Sequence, residues 1–142
     1  MADITPTASS VQPTATTIIA RGTAGVAVNA GQSVYADAAN NNQIKLAQAA
    51  GGTAAQAAAV GMALNSAAVG QPVEYATGGD VTINAVLGQG KAYVLGGGAG
   101  TLAPAEDLNN ATANTRYGTQ MGVATSTTNL RLGINVSGVL KN

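Results

Sequence analysis

The sequence predicts an all-β fold: a single-domain β-sandwich or barrel of short strands, with an extended N-terminal arm and at most one short helix. From Thr16 onwards, short runs rich in Val, Ile, Thr and Tyr alternate with Gly, Asn and Asp, a pattern typical of strands joined by tight turns. The 142 residues fit one domain. Phe, Trp and Cys are absent, so the core is expected to consist mainly of Ala, Val, Leu and Ile.

The arm is predicted over residues 1–14, and the β-domain over residues 15–142. The two prolines of the arm each remove a backbone donor and favour an extended conformation in the residue before them. Ile4 and Val11 are the arm's sizeable apolar side chains. We therefore expect the arm to lie outside the core, with a disordered terminus as the alternative interpretation.

The strands of the β-domain are predicted from the apolar runs between turn residues. They are Thr16–Arg21, Gly25–Val28, Ser33–Asp37, Gln43–Ala47, Val60–Asn65, Pro72–Ala76, Asp80–Ala85, Lys91–Leu95, Gly118–Ala124 and Asn129–Ser137. Short strands at this spacing are typical of a sandwich or a closed barrel. One short helix is predicted over Thr53–Ala59, because alanine favours helix.

The last predicted strand shows the clearest alternation of apolar and polar side chains. Its apolar side chains recur with period two and share one face, which we expect to be buried. They are Leu130, Leu132, Ile134 and Val136. Arg131 lies between them in the sequence and is expected to face solvent.

A short pattern recurs before several predicted strands. Gly31-Gln32 and Gly70-Gln71 each precede a strand that contains Val and Tyr, and Gly88-Gln89 precedes a third. Val60–Ala63 and Met121–Ala124 also resemble each other. The unequal spacings argue against a solenoid repeat. They favour a recurring turn in which Gly adopts conformations that other residues resist.

The charge pattern excludes several classes of partner. Charged residues make up 8% of the chain, with six of each sign and a formal net charge of zero. A nucleic-acid partner or an anionic membrane surface would need clustered Lys and Arg, so neither is expected. The first residues lack a secretory signal, so synthesis in the cytoplasm is expected. A neutral surface opposes self-association only weakly, which suits a subunit of an assembly.

The chain also lacks the side chains of most catalytic and metal sites. There is no His and no Cys, which removes the imidazole base, the thiolate and the preferred zinc ligands. Of the six carboxylates only Glu106 and Asp107 are neighbours, and a solvated turn is favoured there over a calcium site. The glycines at 88–90 and 96–100 favour hairpin turns over phosphate-binding loops. We therefore predict no enzyme activity, no cofactor and no metal.

Several segments spread over nearly the whole chain occur in a recognisable order. They are the opening MADITPT, the turn at 21–25, AGQSVYAD at 30–37, residues 60–95, Ala103-Pro104 with Asp107-Leu108 after it, and the closing MGVATSTTNLRLGINVSGV at 121–139. In this order they resemble the decoration (cement) proteins of tailed-bacteriophage heads. The Ala/Gly-rich residues 47–59 and the Asn/Thr-rich residues 109–115 depart from the resemblance.

The resemblance implies a structural protein on the outside of the virion that clamps neighbouring major capsid proteins. It also favours an arm that binds the capsid. The candidate capsid contacts are Ile4, Thr5, Pro6, Thr7, Val11 and Pro13. A homo-oligomer is expected, with a trimer favoured and a dimer as the alternative.

Two other functions stay open at this point. The chain could be another virion subunit, such as a tail-tube or fibre component, in which case it should polymerise alone. A hydrolase or lectin-like binder ranks last, because such a site needs exposed aromatic residues or a metal-held carboxylate cluster.

Overall fold

A computed structural model of the protein describes residues 3–4, 6–50, 53–84, 87–112 and 115–141. These residues form a curled antiparallel sheet in the shape of a half-barrel, which confirms the predicted all-β, single-domain fold. The strands are β1 (Gln12–Pro13), β2 (Ile18–Thr23), β3 (Ser33–Asp37), β4 (Gln43–Leu46), β5 (Gly61–Ala63), β6 (Pro72–Thr82), β7 (Ala92–Leu95), β8 (Leu102–Pro104), β9 (Tyr117–Ala124) and β10 (Asn129–Leu140). The described α-helix is α1 (Ala105–Asn110).

The strand order is symmetric about the junction between β6 and β10. The order is β4-β3-β5-β6-β10-β9-β7-β8, with β1 and β2 also paired to β6. Each half consists of an antiparallel hairpin, β3–β4 or β7–β8, followed by two further strands that pair in the same way. The two halves meet where β6 pairs with β10. The fold is therefore a structural duplication about the β6–β10 junction.

Two glycines occupy corresponding positions in the two halves. A Cβ added to Gly61 of β5 would overlap the carbonyl oxygen of Ala76, and one added to Gly122 of β9 would overlap that of Arg131. In each half the glycine thus lets one strand approach its neighbour more closely than a side chain would allow. The similarity between Val60–Ala63 and Met121–Ala124 in the sequence reflects this shared contact.

Strand β6 belongs to both halves. Its first part pairs with β2 on one edge and β5 on the other, and its last residues pair with β1 and β10. The change of partners falls at Gly78 and Gly79. Gly79 has φ +78°, a conformation that other residues adopt at a cost, and an added Cβ there would overlap the carbonyl oxygen of Thr16. One continuous strand can therefore serve two parts of the sheet.

The buried apolar side chains form two clusters. The smaller cluster lies within the first half and contains Ala24, Val28, Val34, Ile44, Ala63, Ala67 and Val73. The larger cluster contains residues of both halves. Its fully buried members include Met62, Ile83, Leu95, Leu102, Met121 and Leu130. As expected from the composition, most of these side chains are aliphatic.

The alternation predicted for β10 holds over its first part. Leu130 and Leu132 are buried, Ile134 is half-buried against the larger cluster, and Arg131 is exposed as predicted. The expectation that Val136 is buried is wrong, since it is exposed. Pairing with β6 ends at Leu132, so the rest of β10 extends beyond the core.

Other elements also differ from the predicted ones. Gly25–Val28 is not a strand, although single bridges form at Ala24 and Val28. The two strands predicted between Pro72 and Ala85 are one strand, β6. Residues 53–59 form a turn, and the helix lies instead at Ala105–Asn110, where Glu106 and Asp107 in its first turn suit the helix dipole. The last residues of the predicted Asp80–Ala85 strand lie partly outside the described residues.

The recurring Gly-Gln pattern is confirmed as a turn at all three positions. Gly31 and Gly70 have φ values of +90° and +84°. In both turns the Gln side chain accepts a hydrogen bond from the backbone N–H three residues earlier, at 2.8 Å for Asn29 to Gln32 and 2.8 Å for Ala68 to Gln71. At the third position the residue with positive φ is Gly90, after Gln89.

Two adjacent residues of β10 test the assignment of its faces. Leu130 is fully buried, whereas the Arg131 side chain is 68% exposed and pairs with Asp80 at 3.5 Å. We expect Leu130→Ala to lower the free energy of unfolding by about 2–5 kcal/mol and Arg131→Ala by less than about 1 kcal/mol. Urea denaturation measures both values. Similar losses for the two variants would contradict the assignment.

The corresponding glycines give a second test. Gly61→Ala and Gly122→Ala should each lower the free energy of unfolding by about 1–3 kcal/mol, because the new methyl group overlaps a carbonyl oxygen. Gly133→Ala in β10 is the matched control, since an added Cβ there has no neighbour within 4 Å. Thermal or urea denaturation of the three variants provides the comparison. A stable Gly122→Ala variant would show that β9 and β10 are not in close contact there.

Candidate functional site

The N-terminal segment, residues 3–4 and 6–14 of the described chain, crosses the open side of the half-barrel. At one end Ile4 bridges to Leu102 of β8, with N···O distances of 2.6 and 3.0 Å. At the other end β1 pairs with the last residues of β6. The segment therefore links strands that lie at opposite ends of the second half of the sheet.

Several side chains of this segment contribute to the core. Val11 and Pro6 are buried, and Ile4 and Ala8 pack against the larger cluster. Gly31 makes room for the segment, because an added Cβ there would lie 2.8 Å from Pro6 and 2.9 Å from Val11. The expectation that the arm lies outside the core is therefore wrong at these residues. The physical reason is that the curled sheet leaves its larger cluster open on one side, and the segment covers it.

The candidate contact residues thus fall into two groups. Ile4, Pro6 and Val11 face the subunit's own core, whereas Thr7 and Pro13 are exposed. Thr5 lies outside the described residues. The structure does not gather the six residues into one outward-facing patch.

Asp3 holds the start of the segment. Its carboxylate accepts hydrogen bonds from the backbone N–H groups of Gly97 and Gly98, at 3.4 and 2.9 Å. These glycines lie between β7 and β8, which confirms that the glycines at 96–100 form a hairpin turn. Nothing in the spacing of the sequence indicated that Asp3 would bind this turn.

Threonine hydroxyls between β1 and β2 form hydrogen bonds with the backbone of β6. Thr14 and Thr17 donate hydrogen bonds to the carbonyl oxygen of Asp80, at 2.8 and 2.5 Å, and the Asp80 N–H donates to Thr16 at 3.1 Å. These bonds keep the connecting residues beside β6. The N-terminal segment and β2 therefore run along the same edge of β6.

The outer side of β2 is the most prominent apolar surface near this segment. Ile18 is 62% exposed and Ile19 44% exposed, and a register shift against β6 falls between them. Among the described residues, β2 pairs along its length only with β6; beyond its end, Ala24 bridges to Ile44 of β4. We call Ile18–Arg21 the β2 edge. It offers unpaired backbone groups together with two large apolar side chains.

The charges around the β2 edge are sparse. Arg21 lies 3.8 Å from Glu74, and both side chains are well exposed. An exposed pair of this kind contributes little to stability and is easily solvated. Binding at this edge would therefore rely on backbone hydrogen bonds and apolar contact.

Two carboxylates elsewhere in the described chain are paired with lysines. Asp37 accepts a hydrogen bond from Lys45 at 2.7 Å, and this bond is the main cause of the lowered pKa of Asp37. Glu106 pairs with Lys91 at 3.0 Å and raises the pKa of that lysine. Across the described ranges, no group of three acidic side chains could hold a metal ion. In the same ranges, no helix is long and apolar enough to cross a membrane.

Two surface depressions lie elsewhere on the described chain. One, of about 320 Å³, is lined mainly by Ala, Asn, Ser and Gln around Val28 and Gln71. The other, of about 310 Å³, lies between Asn110 and Arg116. Neither lining includes a carboxylate.

Comparison with known proteins adds no family to these observations. No protein-family model matches the chain, and no curated protein matches it.

Ile18 and Ile19 were not among the residues predicted to form a binding site. Two adjacent β-branched residues in a strand were a usable signal, since alternation normally buries only one of such a pair. The exposure of both depends on the register shift against β6 and on the absence of a further strand in the described part of the sheet. Those are properties of the whole sheet, which local sequence does not specify.

The packing of the N-terminal segment gives a direct test. Val11→Ala should lower the free energy of unfolding by about 1–3 kcal/mol, because it removes buried methyl groups and leaves a cavity. Thr7→Ala is the control within the same segment, because Thr7 is exposed and its change should stay within about 0.5 kcal/mol. Urea denaturation measures both. Equal stability of the two variants would show that the segment is free in solution.

Proposed function

We propose that this protein is a structural component of a phage virion that binds the outer surface of the head and stabilises contacts between major capsid proteins. The observation that carries the proposal is the β2 edge, a strand edge with two exposed isoleucines that has no further strand beside it among the described residues, in a subunit with few charged residues and no net charge. The ordered resemblance to decoration proteins supports the same role. The protein has no catalytic part in this proposal.

The β2 edge suits binding by strand addition. An extended segment of a partner could form backbone hydrogen bonds along Ile18–Arg21 while its apolar side chains contact the two isoleucines. Burying a fully exposed isoleucine contributes about 1.5–3 kcal/mol, and Ile18 and Ile19 contribute a fraction of this because they are already partly covered. Modest affinity per copy is sufficient, because many subunits bind the same lattice.

The N-terminal segment has a revised role in this proposal. Ile4, Pro6 and Val11 hold the segment against its own subunit, so that β1 and β2 stay beside β6. The exposed Pro13 precedes the β2 edge along the same edge of β6 and can contact the capsid with it. The contact surface is therefore rigid before binding, which reduces the entropy lost on association.

A double substitution at the β2 edge tests the proposal. Ile18→Thr with Ile19→Thr should weaken binding to undecorated heads at least tenfold, which corresponds to about 1.4 kcal/mol. Val69→Thr is the matched control, because Val69 is 67% exposed but lies in the turn before β6. Cosedimentation of each variant with purified heads over a concentration series measures the affinities.

Three results would count against the proposal. The wild-type protein could fail to bind heads, or the double variant could bind as tightly as the control. Alternatively, the purified protein could polymerise alone into tubes or fibres, which would favour a tail component.

A further inference from the structure

The start of the N-terminal segment is attached to the hairpin of β7 and β8. Ile4 exchanges two backbone hydrogen bonds with Leu102 of β8. Beside them, the Asp3 carboxylate accepts hydrogen bonds from the N–H groups of Gly97 and Gly98. A hydrogen bond to a charged acceptor is stronger than one between neutral groups. Asp3 therefore contributes much of the attachment at this end.

The middle of the segment, from Pro6 to Ser10, is attached mainly by side chains. Its described backbone–backbone hydrogen bonds stay within the segment, and the Asn84 side chain donates one hydrogen bond to the Ser10 carbonyl at 3.0 Å. Pro6 and the following Val11 are buried beside Gly31, where an added Cβ would lie 2.8 Å from Pro6 and 2.9 Å from Val11. Because one glycine lies against residues near both ends of this stretch, the two ends should move together.

The sheet under this stretch is held by pairing of its own. β7 pairs with β8 on one edge and with β9 on the other. β2 pairs with β6, and the hydroxyls of Thr14 and Thr17 donate to the Asp80 carbonyl of β6. Release of the residues before β1 leaves these hydrogen bonds in place. A segment with few contacts opens at a lower free energy than the whole fold.

We propose that residues 3–4 and 6–11 form a strap that opens and closes as one unit over the larger cluster while the sheet stays folded. Asp3 holds the strap closed at its start. β1 and the two threonines are the hinge, because they stay bound to β6. Opening uncovers Leu102, which is fully buried when the strap is closed. This inference does not depend on binding to a phage head.

Native-state thiol labelling tests the strap, because the chain has no cysteine of its own. Val11→Cys introduces a thiol in the strap, and Val94→Cys introduces one in β7. The two positions are matched, since both valines are 7% exposed. A buried thiol reacts only when the structure around it opens. At a reagent concentration at which closing outpaces labelling, the thiol at position 11 should react at least tenfold faster than the thiol at position 94.

Val73→Ala separates opening of the strap from unfolding of the whole protein. Val73 is fully buried in the smaller cluster, which includes no residue of the strap. Its truncation destabilises the sheet equally whether the strap is open or closed. It should therefore speed labelling at position 94 at least tenfold and leave the rate at position 11 within about twofold.

A second pair of substitutions tests the role of Asp3. In the Val11→Cys background, Asp3→Ala should speed labelling at position 11 at least fivefold, although Asp3 lies at the other end of the strap. Thr7→Ala is the matched control, because Thr7 is exposed within the same strap, and it should leave the rate within about twofold. Hydrogen exchange of the Leu102 amide, which donates to the Ile4 carbonyl at 3.0 Å, follows the same opening without an added thiol.

Three results would overturn the proposal. The first is equal labelling at positions 11 and 94 that Val73→Ala raises equally, which would show that the segment is released only when the whole protein unfolds. The second is a rate at position 11 that Asp3→Ala does not raise. The third is an equal increase from Asp3→Ala and Thr7→Ala. Circular dichroism confirms that each variant is folded, and exchange of the Leu102 amide decides the outcome where a thiol variant is not.

Discussion

The structure depends on one long strand that pairs along both edges. Strand β6 is 11 residues long and contributes side chains to both buried clusters. Val73 belongs to the smaller cluster and Val81 to the larger. Its partners change at Gly78 and Gly79. A Cβ at Gly79 would overlap the backbone of the segment between β1 and β2. The two halves also meet away from this strand, since the Tyr117 N–H of β9 donates to the Ala49 carbonyl and the Ser33 N–H of β3 donates to the Gly100 carbonyl. The β2 edge and the N-terminal segment are both held in place by pairing with β6.

A core without Phe or Trp makes close backbone contact necessary. Ala and Val bury little apolar area per residue, so stabilisation requires the strands to approach closely and the clusters to be covered on every side. Gly61 and Gly122 provide the close approach, and the N-terminal segment provides the cover over the larger cluster. The same composition leaves few charges for the surface, and two strand edges consequently carry apolar side chains in solvent.

The sequence predicted features that depend on local pattern and missed those that depend on the sheet as a whole. Ser33–Asp37 was predicted with the observed bounds, because Val and Tyr between a Gly-Gln turn and an Asn-rich turn specify a strand locally. The helix at Ala105–Asn110 was missed, although a proline before it and acidic residues in its first turn are start signals. The burial of Val11 could not be predicted, since it depends on Gly31 and on β8, which are distant in the chain. For the candidate site, the sequence pointed to the N-terminal segment, whereas the exposed surface lies on the following strand, at Ile18 and Ile19.

We propose that this neutral β subunit presents the β2 edge to the outer surface of a phage head. The most direct measurement is a cryo-electron microscopy reconstruction of undecorated heads mixed with the purified protein. We expect added density on the outside of the shell, at the seams between major capsid proteins, oriented so that Ile18 and Ile19 contact the shell. Heads without added density, or bound subunits whose β2 edge faces solvent, would contradict it.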